Sequence, residues 1–346
     1  MSPTLTFALY GFGICALLHL AALTIFPKLK LLDRPGKYQL SRLPLPYPTG
    51  ILTIITFLIL FIVTRDALTF QDKGLITCIV ILAVITFIDD FKNLPAWTRL
   101  LVQIIIGFLL FATGTRIYTI TNPLGGIIKL DTLDIASQFF GPLPMWSGVF
   151  TIIWILLTMN AFNWFDGIPG QVSVLSIIGS LAIGILALSS RVNQPEIAVI
   201  AFIILGCAVA SAVFDFPPNK VVMGDTGAMF FGLMLGALSI YAGGKVATAL
   251  LVLGVPLIDA IFVIFRRIRE GRSPFKGGDD HLHHRLLKKG WTERQVILLT
   301  AGLGSAFGIT ALFLNTFGKF VAIILLLIVM LLLSRHARSP SVHRPQ

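Results

Sequence analysis

Four stretches of this sequence carry acids, amides, histidines and glycines at spacings that can do chemistry. In Ile81–Leu94, ILAVITFIDDFKNL, an apolar run ends on two adjacent carboxylates, Asp89 and Asp90. A charge at the centre of a bilayer costs about 3 kcal/mol or more, so the pair belongs at the water boundary. There it can hold a divalent cation, or keep one acid ionised to accept a proton. A solvated helix end with Lys92 as local partner is the plainer alternative. Arg99 and Gln103 follow four apart and share a helix face.

In Asn160–Gly170, NAFNWFDGIPG, the residues Asn160, Asn163 and Asp166 fall on one helical stripe before Gly167, Pro169 and Gly170 break the helix. A polar turn accounts for the glycines and proline. It accounts poorly for two amides and an acid, groups that can hydrogen-bond a base or a sugar. In Asn219–Gly227, NKVVMGDTG, Asp225 precedes an apolar helix. It can serve as a simple N-cap. A glycine-rich first turn also gathers N–H groups toward phosphate, with Asp225 as magnesium ligand. In Asp279–Leu287, DDHLHHRLL, the histidines His281, His283 and His284 have no cysteine beside them, and Arg285, Lys288 and Lys289 repel a metal cation. A cationic pocket for a diphosphate fits better than zinc. A basic surface for anionic lipid explains the arginines but not HLHH. Asp259 and Arg266, two turns apart, read as a structural ion pair.

The elements that must position these groups are membrane helices. Of 346 residues, 56% are hydrophobic and 12% charged, against about 25% charged in soluble domains. The net charge of +11 is the positive-inside bias of a membrane protein rather than a sign of nucleic acid. Cys15, Cys78 and Cys207 lie in apolar runs, so no disulfide framework is indicated. The expected fold is an all-α polytopic membrane protein with about 10–11 transmembrane helices. Candidate spans are 5–26, 50–64, 73–88, 99–117, 147–161, 171–190, 196–214, 224–242, 246–265, 295–316 and 318–334. Residues 1–346 read as a single integral-membrane domain, with an external loop or hairpin at 118–146, a cytoplasmic basic and histidine loop at 266–294 and a cytoplasmic tail at 335–346. Most of the 27 Lys and Arg then share one side, which puts the N-terminus outside and the C-terminus in the cytoplasm. The same parity puts all four chemical stretches on the cytoplasmic face.

Together and in this order, the stretches resemble the polyprenyl-phosphate N-acetylhexosamine-1-phosphate transferases. DDFKNLPAWTRLLVQ resembles their Asp-Asp motif, NAFNWFDGIPG their NxxNxxDGxDG loop, and VVMGDTGAMFFG their MGDxGxxxxG motif. PLIDAIFVIFRRIREGRSPFKGGDDHLHHRLL resembles the segment leading to their histidine motif. HLHHRLL is closer to the branch that uses N-acetylglucosamine than to the muramoyl-pentapeptide branch. Four departures stand out: Pro169 replaces a usual second Asp, Asp215 a common Asn, Arg99 a frequent Lys, and Ile51 follows Gly50 where a glycine pair is usual.

The resemblance implies magnesium, with manganese as substitute, and two substrates, a UDP-N-acetylhexosamine and a polyprenyl phosphate. It implies a multi-pass protein of the plasma (inner) membrane with its site facing the cytoplasm; a homodimer is a further expectation. By motif position Asp225 is the metal ligand, and Asp89, with Asp90 beside it, acts on the lipid phosphate. Asn163 and Asp166 bind the nucleotide side, and Asn160 belongs to the substrate-binding set. Arg99, His281, His283, His284 and Arg285 complete the substrate-binding set. The alternatives are muramoyl-pentapeptide transfer, a binding scaffold that has lost catalysis, and a transporter.

Overall fold

The computed structural model describes residues 2–38, 42–123, 125–137, 139–243, 245–273 and 278–337. Residues 274–277 of the histidine loop and 338–346 of the tail, which hold Arg338 and Arg344, lie outside the described residues.

The chain is helical almost throughout. In order come α1 (Pro3–Lys28), α2 (Gly50–Val63), α3 (Phe70–Lys92), α4 (Ala96–Ala112), α5 (Met145–Phe165), α6 (Gln171–Leu188), α7 (Pro195–Asp215) and α8 (Gly224–Tyr241). Then follow α9 (Val246–Val252), α10 (Gly254–Arg269), α11 (Leu282–Lys288), α12 (Glu293–Phe313) and α13 (Thr316–His336). Between α4 and α5 lie two small antiparallel hairpins, β1 (Thr119–Thr121) with β2 (Ile127–Lys129) and β3 (Asp134–Ile135) with β4 (Leu143–Pro144).

Among the described residues, seven helices are long and apolar enough to cross a membrane: α1, α3, α5, α6, α7, α12 and α13. The helices α2 and α4 are apolar but shorter. Each of the eleven spans read from the sequence holds one of these helices, α8, or the pair α9–α10, and the protein is an all-α polytopic membrane protein. The ninth span is not a straight helix, because α9 and α10 meet at 87°. Pro256, in the first turn of α10, cannot donate the N–H that would continue α9, and its ring crowds the preceding turn.

Local signals set the other ends. Thr69 and Asp72 form a capping box that starts α3, and Thr292 with Gln295 does the same for α12. Asn93, in the left-handed conformation, stops α3 just before Pro95. The centre of the bundle is α8, buried at every position from Thr226 to Ile240 and packed by α5, α3 and α2. Between apolar helices in lipid, close packing rather than water exclusion drives association, and small residues permit it. Gly50 of α2 lies against Gly227 of α8 so closely that a Cβ on Gly50 would overlap the Gly227 backbone. Gly50→Ala should therefore destabilise the protein by about 2–3 kcal/mol, read as a lower thermal midpoint in detergent. An unchanged midpoint would show that this contact yields freely.

The helices alternate in direction. The C-terminal ends of α1, α3, α5, α7, α10 and α13 meet the N-terminal ends of α2, α4, α6, α8 and α12 at one end of the bundle. Contacts that fix this arrangement are Thr49 N to Val222 O at 3.0 Å, Ser173 Oγ to Asp215 Oδ2 at 2.6 Å and Arg294 Nη2 to Pro217 O at 3.0 Å. The four chemical stretches all lie at this end.

Candidate active site

The junction of α3 with α8 is built on Asp90. Its carboxylate accepts hydrogen bonds from the backbone N–H of Asp225 at 3.0 Å and of Thr226 at 3.3 Å. It also accepts from the Thr226 hydroxyl at 2.6 Å and the Tyr47 hydroxyl at 2.7 Å. An anion on the free N–H groups of a first turn is favoured by hydrogen bonding and by the helix dipole. Asp90 is thus the cap of α8 and fixes where Asp225 stands.

Asp89 is buried beside it. Its Oδ1 accepts the Leu94 N–H at 2.6 Å, which ties down the turn after α3, and its Oδ2 faces Arg99 Nη1 at 3.1 Å. The same Arg99 nitrogen lies 3.4 Å from Asp225 Oδ2. One guanidinium therefore bridges carboxylates from α3 and α8. The side chain of Asp225 remains 35% exposed, enough to meet a ligand.

Asn163 lies beside Asp225, its half-buried side chain turned to that carboxylate. Asn160, expected among the substrate-binding residues, is engaged within the protein. It forms a reciprocal amide pair with Gln103 of α4, Asn160 Nδ2 to Gln103 Oε1 at 2.7 Å and Gln103 Nε2 to Asn160 Oδ1 at 3.3 Å. Asp166 closes α5 and opens onto a cavity of about 650 Å³. Burial first, and then the charges of Asp215, Asp225 and Asp90, push its carboxyl well above the usual carboxylate range. So many acids around one space call for a cation or a proton.

The histidine stretch reaches the cavity through Asp279 and His284. Behind it, Asp259 anchors α11: its Oδ1 accepts the Leu282 N–H at 3.0 Å and its Oδ2 lies 2.8 Å from His281 Nδ1. This corrects the reading of Asp259 as the partner of Arg266, which instead pairs with Asp280 at 3.2 Å. Arg285, expected on a diphosphate, turns to the end of α13. Its Nη1 donates to Ser334 O at 2.9 Å and to Ser334 Oγ at 3.1 Å. His283 is fully buried between Phe165 and the other two imidazoles, and neither ring nitrogen has a hydrogen-bond partner among the described residues.

Burial first, and then electrostatic repulsion from the neighbouring His284, His281 and Arg285, holds His283 well below the usual imidazole range. Its folded state resists the proton that the unfolded chain takes up near pH 6.5. Stability is therefore full above that pH and falls as the pH drops below it, by about 1.4 kcal/mol per unit for one group. Thermal midpoints between pH 5 and 7.5 should show this slope, and His283→Gln should flatten it. A slope unchanged by the substitution would assign it to other groups.

The sequence did not single out the loop between α1 and α2 as part of the site. Arg34 lines the cavity from this loop, and Tyr47 lies at its end. Asp215 also lines the cavity, with Oδ2 held by Ser173 and Oδ1 buried without a hydrogen-bond partner among the described residues. Only its departure from the family pattern marked it.

Among the described residues no three His, Cys, Asp or Glu side chains converge as a protein-only metal cage. Magnesium commonly needs only one or two carboxylates, with water and substrate phosphates filling the rest. Asp225 and Asp89 fit that mode, and a cationic group, Arg99, already lies between them.

The model of glycosyl transferase family 4 matches residues 73–243, which contain Asp89, Asp90, Asn163, Asp166 and Asp225 but not the histidines. The chain is 29% identical over 243 residues to a probable undecaprenyl-phosphate N-acetylglucosaminyl 1-phosphate transferase of Bacillus subtilis, covering 68% of this chain and 64% of the relative. It is 33% identical over 254 residues to the decaprenyl-phosphate N-acetylglucosaminephosphotransferase of Mycobacterium leprae, covering 66% and 61%. With the undecaprenyl-phosphate alpha-N-acetylglucosaminyl 1-phosphate transferase of Yersinia pestis it shares 27% over 322 residues, 88% of this chain and 83% of the relative. The chain thus spans just under two thirds of the first two relatives and most of the third. Over residues 73–243, which hold the carboxylate motifs in this order, the chain is similar to glycosyl transferase family 4.

Proposed function

We propose that the protein transfers N-acetylglucosamine 1-phosphate from UDP-N-acetylglucosamine to a polyprenyl phosphate, at the cytoplasmic face of the plasma membrane. The observation that carries this reading is the convergence of Asp89, Asp166 and Asp225, from three separate helices, with His284 at one end of an apolar bundle. The names of the relatives supply the substrate class, and the basic residues of the site-bearing loops supply the orientation.

In the reaction an oxygen of the lipid phosphate forms a bond to the β-phosphorus of the UDP-sugar. The bond from that phosphorus to the bridging oxygen breaks, and its electron pair leaves with UMP. The barrier is charge, since one phosphate must approach a diphosphate. Asp225, with Asp89 beside it, would hold magnesium, which would supply positive charge against that repulsion. Arg99 can exchange its carboxylate partners for phosphate oxygens, which frees Asp89 to keep the attacking phosphate deprotonated. His284 donates to the diphosphate from the other wall, and Asn163 and Asp166 meet the nucleotide side.

Membranes containing the protein, given UDP-N-acetylglucosamine, polyprenyl phosphate and magnesium, should release UMP. UDP-N-acetylmuramoyl-pentapeptide should release much less. No UMP from any UDP-N-acetylhexosamine would overturn the reading. Pro169 in the cavity wall favours one second reading, a binding scaffold that has lost catalysis; UDP-sugar binding without UMP release would be its signature.

A further inference from the structure

The chain between α4 and α5 lies at the end of the bundle opposite the carboxylate cavity, and it folds back along the outside of the helices. Arg116, in the turn after α4, donates through Nε to Phe111 O at 3.0 Å and through Nη2 to Ala112 O at 3.2 Å. Its Nη1 reaches Pro142 O at 3.0 Å. One guanidinium thus fastens the approach to β4 onto the last turn of α4. Gly141, at φ +68°, turns the chain back toward β4, a conformation that glycine takes without strain. The Phe140 N–H donates to Ser137 Oγ at 3.2 Å within this turn.

The Phe140 ring rests on the bundle exterior. Its centre is 6.3 Å from that of Phe70, which opens α3, and 6.5 Å from that of Phe108 on α4. Phe108 precedes the end of α4, Ala112, by about 6 Å at 1.5 Å per residue. A helical side chain also leans toward the N-terminus, which carries the contact further from the helix end. The helix itself is short: its 17 residues span about 26 Å, against a hydrocarbon core of about 30 Å. Its first turns are held at the carboxylate site through Arg99, so its far end stops short of the opposite headgroups.

The surface under Phe140 faces lipid. Leu101, Ile104, Ile105 and Phe108 are exposed and apolar, and their spacing puts them on one face of α4. Phe139, beside Phe140, is 89% exposed, more than any other large apolar side chain among the described residues. Ile135 on β3 is exposed too, as are Tyr118 and Trp146, which flank the two hairpins. Tyrosine and tryptophan gather at the membrane–water boundary.

We propose that the turn between β3 and β4 is an anchor in the leaflet opposite the carboxylate cavity, with Phe139 among the acyl chains and Tyr118 and Trp146 at the headgroups. Two observations make lipid the occupant. The lipid-facing stripe of α4 continues into the turn through Phe140, and the turn lies too deep for a partner arriving from water. The anchor is remote from the transferase cavity and does not depend on that activity.

The test uses the full chain in phosphatidylcholine nanodiscs. Cys15, Cys78 and Cys207 are buried, so a nitroxide on Phe139→Cys reports from the turn. Arg191→Cys, at an exposed position between α6 and α7 at the same end, is the control. Oxygen enters hydrocarbon readily, whereas a polar nickel chelate is costly to move there. The ratio of oxygen to nickel collisions should be at least about tenfold higher at position 139 than at 191. Thermal midpoints near that of the parent protein show that both labelled proteins are folded. Equal ratios would put the turn in water and overturn the proposal. A label at 139 shielded from both agents, and dipole-coupled to its counterpart on a second protein, would seat the turn against another copy and overturn the lipid assignment.

Discussion

Gly167→Ala is expected to lower turnover by about a hundredfold or more while the bundle stays folded. Gly167 follows Asp166 directly and lies beneath two imidazoles. A Cβ there would overlap His283 Nε2 and stand 2.8 Å from His283 Cδ2 and 3.0 Å from His284 Cε1. His283 cannot retreat, because Phe165 and His281 pack on its other sides. The loop must move instead, and Asp166 moves with it. A displacement of about 1 Å at a reacting centre can cost about a hundredfold. The Gly167 backbone does not have positive φ, so alanine adds no conformational strain of its own, and the loss of stability should be the overpacking alone, about 1–3 kcal/mol. UMP release and thermal unfolding, measured together, check this. Turnover near that of the parent protein would mean that the histidine helix yields without consequence for the cavity.

Asp90→Ala is expected to damage stability and activity together. Four donors converge on this carboxylate, from Tyr47, Asp225 and Thr226. Removing it orphans them at the start of the central helix, at a cost of about 3 kcal/mol or more. Asp225 loses the bond that fixes its backbone, so turnover should fall by at least about a hundredfold. Tyr47→Phe removes one donor and should cost about 1 kcal/mol, with a smaller loss of turnover. The sequence resemblance suggested a direct chemical role for Asp90 beside Asp89. A group that handles protons would lose activity with little loss of stability when replaced, whereas a cap loses both. If Asp90→Ala keeps the parent midpoint and loses all turnover, the capping account is wrong.

The helices were legible because lipid leaves backbone polar groups no partner but the helix itself, which demands long apolar runs. The shared end was legible because parity along the chain follows from those runs and from the basic loops. The break at Gly254–Pro256 was not, since the residues on both sides remain apolar and one proline shifts no average. Side-chain direction was the main blind spot. Asn160 sits on the same stripe as Asn163, yet it is bound by Gln103, 57 positions earlier. Asp259 has Arg266 two turns away, yet His281 and the start of α11 take it up. The loop after α1 has no periodicity, so nothing in its sequence marked Tyr47 as the partner of Asp90.

The hold of Ser334 on Arg285 has a consequence for biosynthesis. A ribosome delivers the N-terminal part first, so this fastening is made only after α13 has left the tunnel. Until then the imidazole-bearing segment lacks its final tether. A nascent chain, or one truncated ahead of this serine, would hold the carboxylates in place with that wall unfastened.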